Sequence, residues 1–281
     1  MLLYYFIINN IVINNTLILL MKEGVVMKII SICNQKGGCG KTTTTVNLGA
    51  ALVQEGKRVL IIDNDYQANL TVSVGITPSD VSLFNCFKNE LRLKDVITSI
   101  PTLENLDIIP SNLDYSNVDH ALINIKDNKL LLKHLLDESS LDYDYVLIDC
   151  SPSLTTTVIN ALVASDSILI PLEPSLFNLQ GIGYLVKIIN LIKSNFNAKL
   201  EIEGILLTRV DARSSVVNEF KEQLNKIFPN KLLKTKINLN TAINRSQSSG
   251  LPVMLYDSKS KGSIQYTQLA KEILTNGKER H

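Results

Sequence analysis

The chain has 281 residues, of which 45% are hydrophobic and 20% are charged, and its formal net charge is +1. These values are ordinary for a soluble globular protein, either one large α/β domain or two small ones, with room for a sizeable core. The four cysteines, at positions 33, 39, 86 and 150, show no C-x-x-C spacing. Zinc and disulfide roles are therefore not expected, and a reducing cytoplasm suits the sequence.

Residues 1–26 differ in kind from the rest of the chain. The stretch from Met1 to Met21 carries no charged residue and consists almost wholly of Leu, Ile, Tyr, Phe, Asn, Val and Thr. A transmembrane helix or signal peptide is one interpretation, but asparagines interrupt the apolar run and neither a basic region nor a cleavage site flanks it. We expect translation to start at Met27, with residues 1–26 a mis-called start or a disordered extension.

A phosphate-binding loop follows the first strand-like run, at 28–33. Such a loop needs glycines that let backbone N–H groups turn toward a phosphate, a lysine for the outer phosphates and a hydroxyl for Mg²⁺. Gln35 takes the place of the first glycine in the ordinary G-x-x-x-x-G-K-[ST] pattern, and a lysine follows it. A helix is predicted from Thr42 to Leu52, with its N-terminus at the phosphates. The loop residues are Lys36, Gly37, Gly38, Cys39, Gly40, Lys41, Thr42 and Thr43.

This K-G-G-x-G-K-[ST] pattern resembles the deviant Walker A loop of the ParA/MinD family of dimerising ATPases. In that family the leading lysine, here Lys36, reaches across to the nucleotide of the partner subunit. The resemblance implies ATP and Mg²⁺ as cofactors, and catalytic roles for Lys41 and for Lys36, the latter acting in trans much as an arginine finger does.

Two aspartates close the second apolar run, at 58–62. A carboxylate at such a strand end can hold metal-bound water or orient an attacking water, and strand alternation predicts that Asp63 and Asp65 face the same way. The segment resembles the family motif D-x-D-P-Q-x-N, which implies that Asp65 positions the hydrolytic water and that Asp63 lies at the metal. Tyr66 replaces the proline. The alternative is a pair of solvated aspartates in a turn.

A further aspartate, Asp149, ends the apolar run at 145–149. We interpret the run as a Walker B strand, whose terminal carboxylate lies beside Mg²⁺ and accepts a hydrogen bond from metal-bound water or from Thr42. The segment resembles the family motif D-x-P-P-S-L, with Ser151 in place of the first proline.

The segment from Leu206 to Arg213 resembles the family pattern L-T-x-x-D-x-R, which lies near the adenine. The resemblance implies nucleotide contacts from Thr208, Asp211 and Arg213, while an ion pair between the last two is the alternative. A closing segment that includes Tyr266 also matches, so the resemblance extends from Met27 to about Leu274.

The apolar runs predict the fold. They lie at 28–33, 58–62, 106–109, 145–149, 167–171, 202–208 and 232–235, with helical patterns between them. Alternating strands and helices imply right-handed crossovers and a mostly parallel, doubly wound sheet with helices on both faces, here a P-loop NTPase of the deviant Walker A class. We expect one domain over 27–281, with residues 71–105 as an irregular surface subregion and the ligand at the carboxyl ends of the strands.

The charge is unevenly distributed. Residues 1–180 hold 12 basic and 19 acidic residues, whereas 181–281 hold 16 and 8. A basic surface on the C-terminal part favours nucleic acid as a partner, although scattered solvated charge is the alternative for each position. The candidate contacts to DNA phosphates are Lys234, Lys236, Arg245, Lys259 and Lys261.

The leading function is a chromosome- or plasmid-partitioning ATPase. Its implied partners are a second copy of the chain in an ATP-dependent homodimer, non-specific double-stranded DNA of the nucleoid, and a ParB-type protein that stimulates hydrolysis. Membrane binding is not expected, because residues 275–281 are too short and polar for the amphipathic helix of the membrane-binding relatives. The alternatives are a scaffold that positions a non-DNA cargo, a metabolic phosphotransferase, and a nitrogenase-iron-protein relative that uses Cys86 and Cys150.

Overall fold

A computed structural model describes residues 27–278, except for 212, 214 and 215 and the side chains of 176–180, 216 and 278. The expectations for residues 1–26 and for the last three residues lie outside the described part. Within it, every helix falls short of the length and apolar character that crossing a bilayer would require.

The described residues form one eight-stranded sheet. Its order is β3-β4-β2-β5-β1-β6-β7-β8, with β3 antiparallel to β4 and the other described pairings parallel. All seven predicted strands are present, and the predicted P-loop NTPase fold class is confirmed. The strands are β1 (Lys28–Ile32), β2 (Val59–Asn64), β3 (Thr98–Ser99), β4 (Leu106–Ile109), β5 (Tyr145–Cys150), β6 (Ser167–Leu172), β7 (Glu201–Val210) and β8 (Leu232–Asn238).

Helices cover both faces of the sheet, because the right-handed crossovers run outward from β1 in both directions. They are α1 (Lys41–Gln54), α2 (Asn69–Ser73), α3 (Leu83–Phe87), α4 (Val118–Leu122), α5 (Leu131–Glu138), α6 (Thr156–Ala164), α7 (Leu176–Asn195), α8 (Val216–Ile227), α9 (Thr241–Ser248), α10 (Val253–Tyr256) and α11 (Lys261–Lys278). Two 3₁₀ turns span Leu93–Asp95 and Leu113–Asn117.

The centre of the sheet is buried on both sides. Every residue of β2, β5 and β6 is buried, which explains why their sequences are continuous apolar runs. Ten of the 14 residues of α1 are also buried. A Cβ added to Gly49 of α1 would lie 3.2 Å from Ile61 Cγ2 and from Leu106 Cδ1, so the glycine lets α1 pack close to the sheet.

The segment 71–105 is irregular, as expected, since it holds only short elements. It is not merely peripheral, because Leu83, Phe87 and Leu93 are buried in the main core cluster. The two-residue strand β3 lies here and was not predicted.

Candidate functional site

A cavity of about 790 Å³ opens at the carboxyl ends of the central strands, where a ligand is expected in a doubly wound sheet. Its walls come from the phosphate-binding loop, the turn after β2, the turn after β5, the end of β7 and the segment from β8 into α9. Segments far apart in sequence therefore meet at one site. The residues from the first three walls are Gly37, Gly38, Gly40, Lys41, Thr42, Thr43, Asp65, Tyr66, Gln67, Ser151, Pro152, Ser153 and Thr155.

The phosphate-binding loop has the conformation that its glycines predict. Gly38 and Gly40 have φ values of +73° and +88°, in the left-handed region that favours glycine. Helix α1 begins directly after Gly40, so its free N–H groups face the cavity and favour an anion. The Thr208 hydroxyl donates to the Cys39 carbonyl oxygen at 2.7 Å, which ties the loop to β7.

The two lysines of the loop have different surroundings. Lys41 is 8% exposed and lines the cavity, and its Nζ donates to the Lys36 carbonyl oxygen at 3.1 Å. The side chain of Lys36 is 45% exposed and its Nζ lies 3.9 Å from a carboxylate oxygen of Glu173. In the described part of the chain, Lys36 is not among the residues that line the cavity. One lysine thus faces the phosphate site and the other faces outward.

Thr42 and Asp149 lie together, as the Walker B interpretation predicts. Thr42 Oγ1 donates to Asp149 Oδ2 at 2.6 Å, and Thr45 Oγ1 donates to Asp149 Oδ1 at 3.4 Å. Burial, reinforced by the neighbouring charge of Asp63, raises the pKa of Asp149 to about 8. Burial thus disfavours the charged form of the Asp149 carboxylate, and a bound cation would stabilise that form. The Thr42 hydroxyl and the Asp149 carboxylate are oxygen ligands of the kind that Mg²⁺ takes.

Strand alternation predicts that Asp63 and Asp65 face the same way, but β2 ends before Asp65 and the two carboxylates have different surroundings. The register pairs Asp63 with Asp149, but the Asp63 carboxylate accepts from Thr71 N at 2.8 Å, Thr71 Oγ1 at 2.6 Å and Asp65 N at 3.3 Å. Burial raises its pKa to about 7. Because β2 ends at Asn64, the chain turns and places Asp65 on the cavity wall. Asp63 anchors this turn, and its role at the metal stays a prediction.

The candidate residues at the end of β7 and just beyond it lie in different places. Thr208 lines the cavity, and its contact with a nucleotide stays a prediction. Arg213 pairs with Asp211 through Nε and Nη2, at 3.1 Å each, and its side chain is 91% exposed. Neither residue lines the cavity within the described part of the chain, so the structure has the alternative ion pair. Their contact with a nucleotide stays a prediction.

The sequence relatives decide the family. A family model described as an AAA domain, AAA_31, matches residues 27–202. The sporulation initiation inhibitor protein Soj of Bacillus subtilis is 41% identical over 252 residues, which cover 89% of this chain and 99% of that protein. The chromosome partitioning protein ParA of Caulobacter vibrioides is 36% identical over 260 residues, 90% of this chain and 96% of that protein. The chain belongs to the ParA-type partitioning ATPases.

A solved structure extends the comparison to ligands. Cobyrinic acid a,c-diamide synthase from Mycobacterium smegmatis, with bound ATP analogue and magnesium, has a TM-score of 0.81 and 27% identity, covering 91% of this chain and 97% of that chain. Its ligands agree with the prediction of ATP and Mg²⁺ for a ParA-type ATPase. Its name shows that the fold also serves a metabolic enzyme, so the family assignment rests on the sequence relatives rather than on the fold.

The five candidate DNA contacts lie on the C-terminal elements of this ParA-type fold. All except the half-buried Lys236 are exposed. Among the described residues none of the five forms an ion pair, whereas Lys231 and Lys271 pair with glutamates. Lys234 and Lys236 lie on the outer strand β8, Arg245 on α9, Lys259 in the turn before α11, and Lys261 at the first residue of α11. Their positive charge is therefore available to a partner.

Two groups of cavity residues were not predicted. Arg209 lines the cavity with a left-handed φ of 50°, and its Nε lies 3.5 Å from Glu173 Oε1. Asn240, Asn244 and Gln247, three residues with amide side chains, also line the cavity. Their i, i+4, i+7 spacing is the signal that could have placed them on one helix face.

The cysteines argue against the nitrogenase-iron-protein alternative. Cys86 and Cys150 are buried in the core, each 1% exposed, whereas a cluster shared between subunits needs ligands at the surface. The described residues also contain no group of three or more His, Cys, Asp or Glu side chains suited to a metal.

Proposed function

We propose that this ParA-type ATPase moves DNA: it binds ATP with Mg²⁺, dimerises on ATP, binds duplex DNA without sequence preference and hydrolyses ATP when a ParB-type partner stimulates it. The observation that carries the proposal is the division of labour between Lys41, which faces the cavity, and Lys36, which faces outward. A loop that served one nucleotide in a monomer would need only the first.

The nucleotide site follows from the loop. The free N–H groups at the start of α1 and the ammonium group of Lys41 would hold the phosphates. Thr42 and Asp149 would hold Mg²⁺, and Asp149, whose charged form is disfavoured by burial, would be restored to that form by the cation. The metal supplies compensation for charge on the phosphates.

Hydrolysis needs a group that orients water and a group that stabilises the developing charge. Asp65 lies on the cavity wall, and its Oδ1 accepts from Gln67 N at 3.1 Å. This carboxylate would orient the attacking water. Lys36 would supply charge from the second subunit. Turnover would therefore depend on dimerisation.

DNA binding would come from the basic C-terminal elements. A dimer presents two copies of each lysine and arginine to one duplex, and contacts to phosphates carry no base information. Nucleotide-dependent dimerisation would then make DNA binding depend on ATP.

Co-sedimentation with duplex DNA in ATP, in ADP and without nucleotide tests the proposal. We expect DNA binding in ATP alone, at low salt and for unrelated sequences. The control is Lys41→Ala, which removes the charge at the phosphates and should lose both dimer and DNA binding. If the ATP-bound parent dimerises but has no affinity for any duplex at low salt, a scaffold for a non-DNA cargo replaces this proposal.

A further inference from the structure

Helix α9 forms one wall of the nucleotide cavity with a mostly polar face. The lining residues from this segment are Asn240, Ile243, Asn244, Gln247 and Ser248. They recur every three or four positions, so they lie on one side of the helix. Asn240 caps the helix, since its Oδ1 accepts from Ala242 N at 2.8 Å. The polar face therefore begins at the N-cap residue and continues along the helix.

The helix is bonded directly to the phosphate-binding loop. Gln247 Nε2 donates to Thr43 Oγ1 at 2.7 Å. One turn further along α1, Asn47 Nδ2 donates to the Thr43 carbonyl oxygen at 2.8 Å, and Asn47 Oδ1 accepts from Val253 N at 2.7 Å. The first turns of α1 thus hold both α9 and α10. A shift of Thr43 would be transmitted to Gln247 without passing through solvent.

The other end of α9 touches the segment that follows Asp65. A Cβ added to Gly250 would lie 2.9 Å from the Cα of Gly75, so the two backbones are in van der Waals contact. Gly75 follows α2 by two residues, and α2 follows the turn that Asp63 anchors through Thr71. The chain directly after α9 therefore contacts the chain directly after α2.

The same helix carries Arg245, whose side chain is exposed. We propose that Gln247 is a positioning residue that couples the phosphate-binding loop to the DNA-binding surface at Arg245. Nucleotide on the loop fixes the position of Thr43, and the hydrogen bond from Gln247 to Thr43 fixes the position of α9. Helix α9 in turn places the guanidinium group of Arg245. This inference rests on the proposed binding of DNA.

The test is the ratio of DNA affinity in ATP to DNA affinity in ADP. Gln247→Leu keeps the volume and removes the hydrogen bond, and we expect the ratio to fall roughly two- to tenfold, the range of one neutral hydrogen bond. The matched control is Gln268→Leu, at an exposed glutamine of α11, which should keep the parental ratio. A residue that merely contacted DNA would lower both affinities and leave the ratio unchanged.

Linkage supplies a second readout. Saturating DNA should raise the affinity for ATP relative to the affinity for ADP in the parent, and Gln247→Leu should reduce that increase by the same factor, because coupling is reciprocal. Thr43→Val should lower the ratio of DNA affinities by the same factor as Gln247→Leu, and the double variant should lower it no further. Thr43→Ser retains the hydroxyl and should keep the parental ratio.

The outcomes separate this inference from the function beneath it. If the parent binds no DNA in ATP, the DNA-binding proposal fails and the coupling fails with it. If the parent binds and Gln247→Leu keeps the parental ratio, the coupling alone is overturned. Should Gln247→Leu fail to fold, amide hydrogen exchange in the parent decides, since ATP must increase protection across 241–248 and an unchanged pattern would overturn the inference.

Discussion

Replacement of Thr208 by valine tests how firmly the fold supports the phosphate-binding loop. Thr208 is buried at the end of β7, and its hydroxyl donates to the Cys39 carbonyl oxygen at 2.7 Å. Its Cβ and Cγ2 would lie 3.8 Å from a Cβ added to Gly40, so the side chain also packs beside the start of α1. Valine retains this packing because it has nearly the same shape. Only the hydrogen bond is lost.

The cost follows from the carbonyl that remains. A buried acceptor deprived of its donor destabilises a fold by about 1–3 kcal/mol. In a domain of this size, each kcal/mol lowers the melting temperature by about 2–4 °C, so Thr208→Val should melt about 2–12 °C below the parent. Affinity for ATP should also fall, because the loop must then be ordered by the nucleotide.

Thermal unfolding without nucleotide, followed by calorimetric titration with ATP, measures both effects. The matched control is Thr275→Val on α11, an exposed threonine whose hydroxyl donates within its own helix, which should change stability by no more than about 0.5 kcal/mol. A Thr208→Val protein that melts with the control and binds ATP like the parent would refute the argument that β7 supports the loop.

Four further outcomes are expected. Asp65→Ala should bind ATP and form a persistent dimer with little turnover in steady-state assays. If this variant hydrolyses ATP as fast as the parent, another group orients the water. Lys36→Ala should weaken both dimerisation, by ultracentrifugation, and turnover, whereas loss of ATP binding itself would place this lysine in its own subunit's site. Since burial raises the pKa of Asp149 to about 8, against about 3.9 unfolded, the nucleotide-free fold holds a proton that the unfolded chain releases. Its free energy of unfolding should therefore fall as pH rises from about 4 to about 8, and Asp149→Asn should flatten that decline in urea titrations. DNA affinity of the ATP dimer should fall by on the order of 10³ or more between about 50 and 200 mM salt, and Arg245→Ala should make the slope shallower; an unchanged slope would remove this residue from the interface.

The parts of the site that depend on neighbouring residues in the chain could be predicted from the sequence. The phosphate-binding loop is a strand, a glycine-rich turn and a helix in succession, so its residues alone determine where the N–H groups of α1 point. The position of Asp149 could also be predicted, because this residue lies near the end of a buried apolar run. The alternation of strands and helices makes that run a strand of the sheet.

The rest depends on contacts that no local pattern encodes. The hydrogen bond between Gln247 and Thr43 joins residues 204 positions apart. Strand alternation applies only while the strand continues, and β2 ends at Asn64, so the pattern could not place Asp65 on the cavity wall. Nor could it show that the Asp63 carboxylate accepts from Thr71. The strand β3, only two residues long, is too short to show a period.

The burial of α1 has a consequence for the lifetime of the protein in the cell. The helix that begins at the nucleotide is also the interior of the domain, with ten of its 14 residues buried, so the domain cannot unfold without releasing whatever the loop holds. A ligand that binds only the folded state lowers the unfolded fraction in proportion to its saturation. Starved of ATP, the chain should open more often and be degraded faster, so the abundance of this ATPase should follow the energy supply of the cell even where its synthesis is constant.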